Sequence, residues 1–571
     1  MRKGKRATDN IYKKINYSSS KSKKSNKKKL IYVISIVIII LIVLYLANDL
    51  IIIDNKTKTG LVINNNNVTE NVKNDILIED DVIYLSEPDI KNFFDKYIYE
   101  EENSNKIITT YDKKIAEIGF DDNTININGS DKKTYAHAKK VNNIIYLPIS
   151  EMKDVYGIEI ENIESTNIIT IDSTDREQIK YTVNSDSSVR YSTDFFSVTI
   201  DRVKKGDSVV KVKDYQNGWI KIRTQNGKLG YIKNNKLTNE ITVRQNMDEE
   251  KQINGKVNIV WDYFSQYGSA PNRSGSKIDG ANVVSPAFFY IDENGIFHEN
   301  IGDNGKAYID WAHNNGYKVW PMVSNAEAGI EITSKIMNSY ENRKKLEDLL
   351  TEECVKYDLD GINIDFENMK ESDKDLFSRF IIEVTPRIRE IGAVLSVDVT
   401  APDGGETWSM CFDRNVIGDV ANYIVFMAYD EYGSSSNKAG TTAGYDWVKL
   451  SLDKFLTTEE INSEKIILAI PFYSRLWTIA QDGSISNKAV YMKDYSSIIP
   501  NNANKQWDET LKQFYYEYQE NNTTKKIWIE DENSLKAKIS LITDNNLAGV
   551  GCWAKDMEEE NVWNLIKNSL E

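Results

Sequence analysis

Apolar and polar positions alternate most regularly in the C-terminal 317 residues of this 571-residue chain. Short apolar runs of strand length recur there between amphipathic stretches of helical period: VNIVWDYF at 257, NVVSPAFFY at 282, YKVWPMVSN at 317 and LDGINIDFE at 359, then AVLSVDVT at 393, YIVFMAYD at 423, KIILAIPFY at 465 and LAGVGCWA at 547. Eight such units predict an α/β fold, a (β/α)8 TIM barrel over 255–571, whose working side chains project from the C-terminal ends of the strands. Ahead of it, glycine-punctuated β runs over 186–238 predict a small β-barrel. A faint repeat over 76–173 predicts an α+β stalk domain. Ile83-Tyr84-Leu85 returns as Ile145-Tyr146-Leu147, and each copy precedes an amphipathic stretch and a β-rich run, at offsets of 62 and 61 residues. Residues 48–75, rich in Asn, Lys and Thr and including the run Asn64–Asn67, read as a linker.

The N-terminus follows a different rule. Leu30 to Ala47 is an uncharged apolar run of 18 residues, which as a helix covers about 27 Å and matches a bilayer core. It predicts a transmembrane helix over 30–47; a cleaved signal peptide is the competing reading, against which no small-x-small site follows. Residues 1–29 carry twelve Lys/Arg against one acid, a balance of +11, which leaves −26 on the rest of a chain whose net charge is −15. This basic tail predicts a cytoplasmic N-terminus and an extracytoplasmic remainder, as on a Gram-positive-like cell surface. Nucleic-acid binding is the weaker reading of the same charges.

Composition narrows the chemistry. Three cysteines (Cys354, Cys411, Cys552) without a CxxC and three scattered histidines (His137, His298, His313) supply neither a disulfide framework nor a metal site. Any catalysis must then run mainly on carboxylates and tyrosines.

The fourth strand carries them. In Asp360-Gly361-Ile362-Asn363-Ile364-Asp365-Phe366-Glu367 the period of a strand puts Asn363, Asp365 and Glu367 on one face and Ile362, Ile364 and Phe366 on the other. Two acids and an amide aimed at a barrel axis lose several kcal/mol of solvation unless paired or used, so they are poor core filler (~2–7 kcal/mol per unpaired polar group). Glu367, at the strand's end, is placed to reach a ligand, and Asp365 behind it to support it.

This strand resembles the DGxxxDxE signature of glycoside hydrolase family 18, the chitinase and endo-N-acetylglucosaminidase family. Met427-Ala428-Tyr429-Asp430 is similar to the family's MxYD, Pro471-Phe472-Tyr473-Ser474-Arg475 to its PFYGR, and Trp553 to the tryptophan beneath the reactive sugar. The stretches from Ala443 to Phe455 and from Lys526 to Ala554 are similar to the cell-wall and spore-cortex branch. The segment from Val189 to Ile232 resembles a bacterial SH3-like domain, with Trp219 as core or as ligand platform, and 76–173 resembles a copper amine oxidase N-terminal-like domain, with no copper expected.

The family resemblance implies retaining hydrolysis in which the substrate's 2-acetamido oxygen is the nucleophile, without metal or organic cofactor. It implies Glu367 as acid and base, Asp365 on the acetamido N–H, and Tyr429 on the acetamido oxygen. Asp430 and Tyr473 shape the pocket, Trp553 forms an apolar floor, and Asn363, Met427 and Arg475 belong to the substrate site, although Met427 and Trp553 also fit a core role and Arg475 a surface pair. Many members have an aspartate where this chain has Asn363, which cannot ionise and removes a like-charged neighbour from Asp365. The expected function is a membrane-anchored glycosidase cutting β-1,4 bonds next to N-acetylglucosamine in peptidoglycan or a chitin-like glycan, held to the wall through the SH3-like domain. A non-catalytic glycan-binding protein and a surface scaffold are the alternatives.

Overall fold

The computed structural model describes residues 27–40, 43, 58–194, 196–243, 253, 255–275, 277–402 and 404–570. Most of the basic tail (1–26), part of the predicted span (41, 42 and 44–47) and the start of the predicted linker (48–57) lie outside the described residues. Residues 27–40 are helical, and their apolar side chains are exposed. Among the described residues no helix is long and apolar enough to cross a membrane.

The chain divides into two compact units. Among the described residues, the first joins those up to Asp89 to those from Lys140 as far as 243, and the second joins Ile90–Lys139 to everything from residue 253 on.

In the first unit the predicted linker is corrected. Gly60–Ile63 is a strand running parallel to Ile168–Ile171, with Leu61 and Val62 buried, and it hairpins back to Asn66–Asn67. Asn64 and Asn65 make the two-residue turn with φ of 47° and 64°, the backbone such hairpin turns demand and asparagine tolerates. The two copies of the repeat pair with each other: Leu147 stands opposite Leu85 in an antiparallel ladder. A seven-stranded antiparallel sheet built from residues 178–243 follows, around Val189, Val209, Ile220, Ile222 and Ile232. It recruits strands at Gln178–Val183 and Leu237–Val243 that extend past the predicted 186–238. Trp219 is half-buried, with the Lys233 ammonium 4.3 Å above its ring.

The second unit departs from a single 76–173 module, because the five-stranded meander from Tyr99 to Lys133 groups with the barrel. The barrel strands are β1 (Val257–Asp262), β2 (Val283–Pro286), β3 (Met322–Ser324), β4 (Gly361–Asp365), β5 (Val394–Val399), β6 (Tyr423–Met427), β7 (Ile466–Pro471) and β8 (Gly549–Trp553). β1 pairs in parallel with β2, β3 to β8 pair in parallel each with the next, and β8 closes on β1. The third position is interrupted at Trp320-Pro321. Lys318–Val319 pairs with β2, whereas β3 itself pairs with β4 and with Phe289–Tyr290, so the proline, which has no N–H to give, sits at the break. A Cβ on Gly361 would lie 2.6 Å from the Val394 carbonyl and from the Trp320 ring; the close approach of β4 to β5 requires glycine there. Between β7 and β8 a five-stranded antiparallel sheet spans Tyr473–Ile529.

Candidate active site

Asp360 opens the motif at the foot of β4 and is structural. Its carboxylate accepts from Lys318 Nζ (2.8 Å), His313 Nε2 (2.9 Å) and the Val319 N–H (3.0 Å). Burial works against its anion, but these donors outweigh burial and hold the acid below its ordinary range. Above it the alternation expected of a strand is observed. Ile362, Ile364 and Phe366 are fully buried, and Phe366 stacks on Phe377 and Phe380 of the following helix, while Asn363, Asp365 and Glu367 face the barrel axis.

Asn363 is wholly buried and engaged on three sides. Its Oδ1 accepts from Trp261 Nε1 (2.9 Å), and its Nδ2 donates to Asp398 Oδ1 (2.7 Å) and Ser396 Oγ (3.1 Å). Asp398 was not among the sequence candidates. Asn363 adds no charge at its own position, and β5 brings a further buried acid, Asp398, against its amide. Asp365 is half-buried, and its Oδ1 is buried with no hydrogen-bond partner among the described residues. Desolvation pushes its carboxyl up to about 7. Desolvation, then the charges of Asp365 and Asp430, hold Glu367 well above the ordinary glutamate range.

The backbone of Glu367 is fixed by a second residue without a motif. Asn325, buried just beyond β3, accepts from the Glu367 N–H (2.8 Å) and donates to its carbonyl (2.9 Å). The loop after β6 brings in Tyr429 and Asp430. Tyr429 is buried, and burial followed by the fields of Asp398 and Asp365 raises its hydroxyl well above the usual tyrosine range. Asp430, at a φ of 58°, accepts from Tyr473 Oη (2.8 Å) and from Arg475 Nη2 (3.0 Å) and Nε (3.3 Å). Arg475 is thus a partner within the cleft wall. Met427 ends β6 inside the core.

Trp553 closes β8 with its ring 5.8 Å from Trp261 and 5.8 Å from Tyr263. Tyr263 is 55% exposed, so a cluster of aromatic rings runs from the barrel interior to solvent, a surface suited to the apolar face of a sugar. Gly551 makes room for it: a Cβ there would meet the Trp261 ring at 2.9 Å. The nine sequence candidates thus lie on or just beyond β4, β6, β7 and β8, with Met427 as packing and Asn363 buried beneath the acids. Asp398, Asn325 and Tyr263 join them. Among the described residues no group of three His, Cys, Asp or Glu is placed to hold a metal ion.

A parallel eight-stranded barrel with buried carboxylates and tyrosines at the strand ends, beside an aromatic floor, defines a glycosidase-like α/β barrel. Residues 259–558 match glycosyl hydrolases family 18, and the chain belongs to that family. It is 28% identical over 299 residues to the uncharacterised glycosylase YvbX of Bacillus subtilis, covering 51% of this chain and 85% of that one. It is 25% identical over 247 residues to the cortical fragment-lytic enzyme of the same organism, covering 42% of this chain and 56% of that one. Among solved structures, the spore cortex-lytic enzyme SleL of Bacillus megaterium aligns with a TM-score of 0.47 and 20% identity, over 58% of this chain and 77% of that one.

Proposed function

We propose that this chain is a membrane-anchored extracytoplasmic glycosidase that cleaves β-1,4 bonds adjacent to N-acetylglucosamine in peptidoglycan, by substrate-assisted retaining catalysis. The observation that carries the reading is the contrast between Glu367 and Asp365. Burial and the charges of Asp365 and Asp430 favour the neutral acid at Glu367, while Asp365, pushed up to about 7, still ionises near neutrality beside it.

Glu367 gives its proton to the glycosidic oxygen as the bond to C1 breaks. The acetamido oxygen of the same sugar attacks C1 from the opposite face and forms an oxazolinium ion. Asp365 accepts from the acetamido N–H and balances the positive charge, while Tyr429 donates to the acetamido oxygen and aims it. Asp430, Tyr473 and Arg475 hold one another in the wall of this pocket, and Trp553 carries the sugar ring. The Glu367 carboxylate then takes a proton from water as the water's oxygen joins C1, which reopens the acetamide and regenerates the acid with retained configuration.

Peptidoglycan is the preferred polymer because the tail 1–29 and the apolar run 30–47 form an anchor, with an SH3-like wall-binding module between anchor and enzyme. An anchored enzyme works on the polymer within reach of its own membrane. The relatives that bear cortex-lytic names support the same choice. The reading is tested by offering N-acetylated and de-N-acetylated forms of the same glycan and following the product anomer by NMR. It expects a β product from the acetylated polymer and no cleavage next to de-N-acetylated sugars. Equal cleavage of both removes substrate assistance, and an α product removes retention.

A further inference from the structure

Behind the cleft wall lies a buried charge pair that the hydrolysis itself does not use. Lys538, on the helix Glu532–Asp544, and Glu530, just before that helix, are both 0% exposed, and the ammonium donates to Oε1 (2.8 Å) and Oε2 (2.7 Å) of the carboxylate. Gln513 Nε2 donates to Oε1 (2.6 Å) and Ser534 Oγ to Oε2 (2.7 Å), so each carboxylate oxygen accepts twice. Such a pair adds little net stability, because the desolvation of two ions offsets their attraction, and uncharged replacements of similar size are often tolerated. Its presence calls for another explanation.

The contacts around it supply one. Tyr473, Ser474 and Arg475 follow one another on the strand Tyr473–Ile479, so Tyr473 and Arg475 face one way and Ser474 the other. Tyr473 and Arg475 hold Asp430 in the cleft wall. Ser474, wholly buried, accepts from the Glu530 N–H (3.1 Å). The loop that carries Asp430 reaches the same carboxylate by another route. The Glu431 N–H donates to the Thr442 carbonyl (3.0 Å), the Thr441 hydroxyl donates to Gln513, and Gln513 donates to Glu530. Trp477, on the same strand as Tyr473, ties it to the loop directly by donating to the Gly440 carbonyl (2.8 Å). Both sides of the Asp430 clamp therefore end on one ion pair, through side chains that are all buried.

We propose that Lys538 and Glu530 are positioning residues for the glycosidase reaction, which lock strand to loop and thereby set Asp430 and the adjoining Tyr429 against the substrate's acetamido group. This deepens the glycosidase reading and rests on it. The pair acts only through the wall. The two bonds from Lys538 hold the carboxylate in the one orientation that turns Oε1 to Gln513 and Oε2 to Ser534.

The test compares full-length wild type with a double variant, Glu530→Gln together with Lys538→Met, which removes both charges and keeps an acceptor for Gln513 and Ser534. Thermal melts are recorded beside kcat and KM for reducing-end release from peptidoglycan, with kcat expressed per folded molecule. The double variant is expected to melt near wild type. Its kcat is expected to fall about 10- to 100-fold, as a displaced wall costs, with KM little changed. If it does not fold, Thr441→Val severs the loop side alone and leaves the pair whole, and its kcat should fall as well. In a Tyr473→Phe background, where the wall is already loosened, the losses should not multiply. A kcat at the wild-type value, whatever the melts show, or a loss that multiplies in full with Tyr473→Phe, overturns the proposal. An inactive wild type overturns the glycosidase reading instead, so the two failures are distinct.

Discussion

Asp365 sits where its charge is useful and unfavourable at once. Its folded pKa of about 7 lies above the ordinary 3.8, so the native state binds this proton more tightly than the unfolded chain does. The stability contributed is full below about pH 3.8 and is lost as pH rises through about 7. Asp365→Asn, uncharged throughout, should therefore be more stable than wild type at pH 8, by up to about 4 kcal/mol, and equal to it near pH 4. Denaturant melts at the two pH values check this; a variant no more stable at pH 8 would contradict the assigned desolvation. Wild-type activity should fall as pH drops through about 7, where Asp365 takes up its proton. Asn325→Ala removes both contacts to the Glu367 backbone and leaves its partly buried N–H without this acceptor, at about 1–3 kcal/mol. Its kcat should fall further than its affinity for substrate, which steady-state kinetics will show.

Neither Asn325 nor Asp398 was legible as a functional residue. Each ends or lines a strand, but no motif surrounds it, and an asparagine or aspartate in a strand is recognised only once its register against β4 is known. The alternation Ser396, Asp398 on β5, continued by Thr400 just past its end, was the available signal. The motif on β4 was legible because three polar side chains at period two, aimed into a core, have no inexpensive structural explanation.

Elements were read well where periodicity is strong and poorly where turns carry the information. All eight barrel strands fall within the apolar runs of the sequence, since buried parallel strands are near-continuous in hydrophobicity. The run Asn64–Asn67 was misread as linker because polar composition outweighed turn chemistry. Asp80-Asp81, Asn142-Asn143 and Asn521-Asn522 repeat the same device, each pair at positive φ between antiparallel strands. Such a pair between apolar alternations is a hairpin signal. Replacing Asn65 (φ 64°) by Val places a β-branched residue in the left-handed region and should destabilise the first unit by about 1–2 kcal/mol, whereas Asn65→Gly should be tolerated. Thermal melts of the two variants separate a turn from a tether: identical melts would restore the linker.

The boundary of the catalytic unit was hidden from the sequence because the repeat over 76–173 suggested one module, while the contacts of its middle lie elsewhere. Tyr99 donates to Glu383 (2.7 Å) and accepts from Arg343 (3.1 Å), and the Arg379 guanidinium lies 3.7 Å above its ring. Glu383 is 0% exposed and paired with Arg343 through two bonds, and Ile108 and Ile115 pack with Tyr340. The meander is therefore part of the barrel's buried surface. A fragment of 255–571 leaves this charged pair without its third member and uncovers Tyr340. It should melt well below 58–571, and Tyr99→Phe should account for about 1–3 kcal/mol of the difference. Equal melting of the two fragments would show that the meander only rests on the barrel.

Family membership, the paired acids and the aromatic floor converge on one chemical claim, that Glu367 cleaves a glycan bond. The direct measurement is release of new reducing N-acetylglucosamine ends from peptidoglycan, with chitin oligomers alongside, by the full-length protein and by Glu367→Gln. Wild type is expected to release them, with Glu367→Gln slower by about 10²–10⁴-fold, the usual contribution of a positioned proton donor, and still able to bind the polymer. Undiminished release by Glu367→Gln, or binding without cleavage by wild type, would contradict it.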